Sequence, residues 1–244
     1  MKMEEHMRTD LKRVPTMKIF DFAFFTKSIE GIVELTIGEP DFNTPEHVKE
    51  AGMAAIANNR THYAPQRGTA GLLSAISDDV AKKIGKVYDP ATEILVTNGV
   101  TEGAYAAVTA ITNPGDVILV PTPTFSIYMA DAAIAGGTAV EVDTSKTNFR
   151  LTPELIQSYL DEYGDRVKGL VVVNPTNPTG IAMNQDELDA IADPHPNVLN
   201  FTSCIIPLSS ISRYILIMSP HFALPTVPTP LASSISPTFL GLLK

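Results

Sequence analysis

The sequence has no tryptophan, a single cysteine (Cys204) and only 15 glycines in 244 residues. One cysteine excludes a disulfide scaffold, and ordinary glycine without a three-residue repeat excludes a collagen-like chain. Positive charge is in deficit. Eighteen Lys and Arg face 27 Asp and Glu, giving a formal net charge of −9. A nucleic-acid binder needs a basic face, so that class is disfavoured. The first 190 residues hold no clean apolar run of transmembrane length, and no secretory apolar segment follows Met1. The expectation is therefore no membrane contact and a reducing, cytoplasmic setting. The five histidines are scattered without ligand spacing, which leaves a metal site unsupported; His62 and His195 read as loop residues. What is present is apolar material, 44% of residues, enough to bury a sizeable core.

A second absence is local. Residues 194–244 contain no Asp or Glu, and Arg213 and Lys244 are their only Lys or Arg. They also hold 8 of the 19 prolines and the one cysteine. Sixteen basic against 27 acidic residues put −11 on residues 1–193 and leave +2 on the remainder. This break divides the chain into an arm (1–45), a body (46–193) and a tail of foreign character (194–244). A shifted reading frame or a truncated gene gives such a tail. A membrane segment over 198–218 is the rival account, and Pro207 and Arg213 interrupt it.

The body alternates. Residues 19–25 read as an amphipathic arm, and Glu34–Ile37 as a short strand. Thr44-Pro45-Glu46 signals a helix start, with Thr44 as N-cap, running to Asn58. Leu72–Lys83 is amphipathic. Apolar strands are expected at 93–97, 117–121, 138–142 and 169–173. Helices are expected at 102–111, 127–135, from Thr152-Pro153 to Tyr163, and from Asn184. Short apolar strands alternating with helices imply an α/β fold, a mostly parallel sheet covered on both faces. Ligands in such folds collect at the carboxyl ends of strands.

Three loops at such ends carry the chemistry. Thr97-Asn98-Gly99-Val100-Thr101 runs from a strand into a helix start, where free N–H groups and the helix dipole attract an anion. An ordinary βα turn accounts for the same spacing. Pro123-Thr124-Phe125 offers an aromatic ring to a planar ligand, or a side chain for the rim of the core. Asn174-Pro175-Thr176-Asn177-Pro178-Thr179-Gly180 is the strongest signal. Two Asn-Pro pairs within seven residues fix an unusual loop, in which an Asn presents its amide in one orientation. Glu39 and Asp41 share one tight turn and read as solvated carboxylates.

Taken in order, Gly38-Glu39-Pro40-Asp41-Phe42, Thr44-Pro45, His62-Tyr63, the Gly68 loop, Pro123-Thr124-Phe125 and Asn174–Gly180 resemble one family. It is the class I/II, fold-type I, pyridoxal-phosphate-dependent aminotransferases of the aspartate/aromatic type. The resemblance covers roughly residues 15–193. It implies an incomplete front part of the family's large domain, preceded by an arm, and transfer of an amino group between an amino acid and a 2-oxo acid. It implies that Val100 and Thr101 hold the phosphate of pyridoxal 5′-phosphate and that Phe125 stacks on its pyridine ring. Asn177 would bond the ring hydroxyl oxygen and orient the substrate carboxylate, to which Gly38 offers backbone. Tyr63 would reach the cofactor of a second subunit, so a homodimer is implied. The family continues with Asp-Glu-x-Tyr and then a Ser-x-Ser-Lys segment whose lysine is joined to the cofactor. Here no acid follows Asp193, and Lys244 is the only later lysine. The chain alone is accordingly expected to be inactive and, with apolar surface uncovered, of marginal solubility and low stability. A β-lyase of the same fold, or a non-catalytic relic that keeps only cofactor binding, are the alternatives.

Overall fold

The computed structural model describes residues 18–33, 42–85, 87–192 and 199–203, together with His6, Arg8, Leu11, Lys12, Val14 and Leu35. In chain order the elements are α1 (Lys18–Thr26), α2 (Glu46–Ala57), α3 (Ala70–Ile84), α4 (Gly99–Ile111), β1 (Val117–Thr122), α5 (Ile127–Ile134), β2 (Thr138–Asp143), α6 (Pro153–Tyr163), β3 (Val167–Val173), α7 (Gln185–Ala192) and β4 (Leu199–Ser203). The four strands form one sheet in the order β2-β1-β3-β4, every neighbouring pair parallel. Val117 pairs with Thr138 and Thr122 with Asp143, Leu119 with Leu170, and Val173 with Ser203.

The apolar strand runs are explained by burial on both faces. In β1, Val117 and Leu119 point into a cluster with Leu170 and Val172 of β3, Ile156 of α6 and Ile191 of α7. Ile118 and Val120 point the other way, into a cluster with Val171, Ala104 and Val108 of α4, and Ile127, Tyr128 and Ala132 of α5. None of the four β1 side chains is more than 2% exposed. The result is a helix–sheet–helix sandwich, the layering that an all-parallel sheet requires. Each fully buried aliphatic side chain contributes about 1.5–3 kcal/mol of transfer free energy.

Three local expectations differ from the structure. The 93–97 run forms no strand: Glu93 lies in a turn, and 94–97 pair with no strand among the described residues. It packs instead on α3, where Ile94 and Tyr88 join Leu73, Ile76 and Val80. A strand is a two-body object, and an apolar run without a neighbour supplies only half of one. The α2 N-cap is Pro45 and no side chain caps it, so Thr44 stands one residue too early for the role expected of it. Helix α4 begins at Gly99, three residues before the expected start, and takes the 99–101 turn into its first turn. By contrast Thr152 does cap α6, its Oγ1 accepting from the Leu155 N–H at 3.3 Å. β4 carries the sheet to Ser203, inside the stretch expected to be foreign from 194 onward. Of the Glu34–Ile37 run only Leu35 is among the described residues, and residues 204–244 lie outside them.

Candidate functional site

The strand order positions the site. β2 lies on one side of β1, while β3 and β4 lie on the other. This change of side opens a crevice beyond the carboxyl ends of β1 and β3, the usual ligand position in open parallel sheets. Pro123-Thr124-Phe125 leaves the end of β1 and Asn174–Gly180 leaves the end of β3. The α4 N-terminus belongs to the same edge. A tight turn, with the Asp116 N–H on Asn113 O at 3.0 Å, links the end of α4 to the start of β1, so α4 runs back along the sheet. Its 13 residues and the six of β1 each span about 20 Å. The first turn of α4 therefore reaches the edge where β1 ends.

Each loop is held by its own bonds. At the head of α4, Gly99 takes φ +76°, a left-handed conformation that costs glycine little. The Thr97 hydroxyl donates to Gly99 O at 2.8 Å, and the Asn98 N–H donates to the Glu102 carboxylate. The N–H groups of Val100 and Thr101 lie in the first turn, where no helical carbonyl precedes them. Thr101 is exposed and Val100 half-buried. Phe125 is half-buried and packs against the cluster formed by α4, α5 and β1.

The loop after β3 is closed by Asn174. Its Nδ2 donates to Met183 O at 3.1 Å, and its Oδ1 accepts from the Met183 N–H at 2.8 Å. Inside this clasp the Thr176 N–H donates to Ile181 O at 2.8 Å and the Gly180 N–H to Thr176 O at 2.7 Å. Asn174-Pro175 and Asn177-Pro178 are cis. The two asparagines of the motif thus divide the work: Asn174 closes the loop, and Asn177 stands exposed at its tip. Between the Pro123 and Asn174 loops, and not reached by the α4 head, lies a cavity of about 20 Å³, lined by Pro123, Thr124, Thr144, Phe149, Val173 and Thr176 among others. That volume holds about one water.

Tyr63 is fully exposed. Gly38 lies outside the described residues. Sequence reasoning missed three features. Phe149 lines the cavity from a left-handed backbone, φ +59°, a strained conformation for an aromatic residue. Asp131 of α5 is only 4% exposed, one carboxyl oxygen finds no hydrogen-bond partner among the described residues, and burial pushes its pKa up to about 7. Arg67 bonds across 24 and 27 residues to Ala91 and Ile94. All three depend on tertiary neighbours, and the only sequence signal was an acid in an apolar helix at Asp131. Among the described residues no cluster of His, Cys, Asp or Glu could hold a metal, and no helix is long and apolar enough to cross a membrane.

A parallel sheet with three loops gathered at its switch point is the architecture of an α/β enzyme whose ligand sits at the strand ends. The sequence pattern of "Aminotransferase class I and II" matches residues 30–201, and this chain belongs to that family. It is 36% identical over 177 residues to aromatic-amino-acid aminotransferase 2 of Thermococcus litoralis, covering 72% of this chain and 44% of that protein. It is equally similar to an aspartate aminotransferase of Pyrococcus abyssi, with the same coverage. Among solved structures, N-succinyldiaminopimelate aminotransferase from Mycobacterium tuberculosis superposes with a TM-score of 0.73 at 31% identity, over 80% of this chain and 51% of that one. Aspartate aminotransferase from Thermus thermophilus with maleate gives 0.74 at 30%, over 90% and 58%. The chain spans about half the length of the relatives it matches.

Proposed function

We propose that this chain forms the cofactor-gripping part of a pyridoxal-phosphate-dependent aminotransferase, acting on an amino acid and a 2-oxo acid. The observation that supports the reading is the gathering of the α4 head, the Phe125 loop and the Asn177 loop at one sheet edge. The donor set suits a phosphorylated pyridine. The N–H groups of Val100 and Thr101, with the Thr101 hydroxyl, would hold the phosphate, helped by the positive end of α4. The half-buried ring of Phe125 would lie against the pyridine face. The exposed Asn177 amide would donate to the ring hydroxyl oxygen and orient the substrate carboxylate, to which Gly38 would offer its N–H. When bound, pyridoxal phosphate supplies an electron sink for charge developing at the substrate α-carbon.

The reading extends to a homodimer and to catalytic competence. Tyr63 projects into open solvent, and α2 buries none of its twelve residues. A helix of that length is marginal by itself, and a second subunit would supply the missing contacts. The only lysine beyond Lys168 is Lys244, and none of the lysines in residues 30–201 follows a Ser-x-Ser pattern. This chain alone is therefore expected to bind the cofactor without turning substrate over. The test is an absorbance assay for amino-group transfer to 2-oxoglutarate, run beside a pyridoxal-phosphate titration. Binding without turnover supports the reading; absence of binding overturns it.

A further inference from the structure

We propose that Arg67 is a positioning residue for the phosphate end of this site, standing in for a neighbouring strand beside residues 91–96. The proposal rests on the reading of the α4 head as the phosphate cradle.

Residues 93–97 have the composition of a strand, and no strand flanks them among the described residues. Three backbone groups of residues 91–96 are nonetheless bonded to one residue. The Arg67 guanidinium donates through Nη1 to Ala91 O and through Nη2 to Ile94 O at 2.8 Å. The Arg67 carbonyl accepts from the Val96 N–H at 2.9 Å. Arg67 thus presents two donors and an acceptor along six residues, the kind of contact that an adjacent strand makes. Its neighbour Gly68 presses the two segments together. At φ +113° a Cβ there would stand 2.8 Å from Val96 Cγ2, so only glycine permits the approach.

The clamp ends next to the α4 head. Val96 is followed by the buried Thr97, whose hydroxyl holds Gly99 O at 2.8 Å, and by Gly99 at the first position of α4. Three residues separate the last bond to Arg67 from Val100. Anything that shifts the 91–96 segment shifts the N–H groups of Val100 and Thr101 with it. The planar guanidinium is suited to the role because its donors diverge in a fixed fork. A lysine at position 67 has a single nitrogen and cannot reproduce the spacing of both carbonyls. One guanidinium nitrogen, Nε, is buried without a partner among the described residues. The side chain is therefore held in place at a cost in solvation.

The test uses pyridoxine 5′-phosphate and pyridoxine, which lack the aldehyde and so cannot react with lysines. Dissociation constants are measured by equilibrium dialysis on the full chain and on its Arg67→Lys and Arg67→Gln variants. Amide hydrogen exchange is followed at Val96 and over the first turn of α4. The expected result is a wild-type preference for the phosphorylated ligand that falls about tenfold in both variants, with pyridoxine affinity held within about twofold. Exchange should quicken at Val96. The Lys variant keeps charge and length, so it reports on the fork even where the Gln variant fails to fold. Equal loss of both ligands marks a merely structural role and overturns the proposal, as does an unchanged preference with unchanged exchange. A wild-type chain with no preference for the phosphate, while Val96 exchange still quickens in the variants, refutes the cradle reading and not the clamp.

Discussion

Asn174 and Met183 are joined twice, side-chain amide to backbone, at 3.1 and 2.8 Å. A side chain here makes the pair of bonds that a neighbouring strand would make, and it closes the eight residues 175–182 into a loop. Asn177, three positions on, is exposed. The two asparagines should separate experimentally. Asn174→Ala leaves Met183 N–H and C=O without those partners and should lower stability by about 1–3 kcal/mol. Asn177→Ala should stay within about 0.5 kcal/mol of the parent and weaken cofactor binding only. Urea denaturation beside a ligand titration checks both; equal destabilisation by the two substitutions would contradict the division.

Asp131 makes stability depend on pH. Burial raises its folded pKa to about 7, above the ordinary aspartate value of 3.8. Between those values the folded state holds a proton that the unfolded state has released. Stability therefore falls as pH rises from about 4 to about 7 and levels off above. Asp131→Asn removes the charge and should stabilise the chain at pH 8 by an amount on the order of a few kcal/mol, while changing little at pH 4. Denaturation midpoints of parent and variant at the two pH values give the answer, and a variant less stable at pH 8 contradicts it.

The double-sided core gives a third expectation. Ile118 is fully buried against α4 and α5. Ile118→Ala should cost about 2–5 kcal/mol. Thr152→Ala, which removes the α6 cap, should cost about 0.5–2 kcal/mol. A core substitution milder than the cap substitution would mean that the sheet is not packed on both faces.

From the segment between β2 and α6, Arg150 reaches α7. Its Nη1 lies 2.7 and 2.8 Å from the two Glu187 carboxylate oxygens and 3.1 Å from Ala182 O. Both partners are about a third exposed. Arg150→Ala should therefore cost roughly 0.5–1 kcal/mol in low salt, and less at high ionic strength. A loss of several kcal/mol, independent of salt, would contradict this.

Much of the layout was legible before the fold was known. The runs 117–121, 138–142 and 169–173 became β1, β2 and β3 because short, mainly apolar, β-branched stretches bounded by turn residues have few other uses in an α/β chain. The helix start at Thr152-Pro153 and the Asn-Pro loop are local signals. Strand order was not legible, because pairing depends on residues far apart in sequence. The 93–97 run shows the same limit: its apolarity is local, but its lack of a strand neighbour is not. At the site, Phe125 and Asn177 were visible as motif residues. Arg67 and the double bond of Asn174 were not, since each exists only through contacts made after folding.

The most direct measurement is a titration of the wild-type chain with pyridoxal 5′-phosphate, repeated with Thr101→Ala and Asn177→Ala. The expected result is saturable binding at one site, competed by inorganic phosphate and weakened by each substitution by about tenfold. Binding that does not saturate, or that neither substitution weakens, would contradict a cofactor grip built from the α4 head and the Asn177 loop.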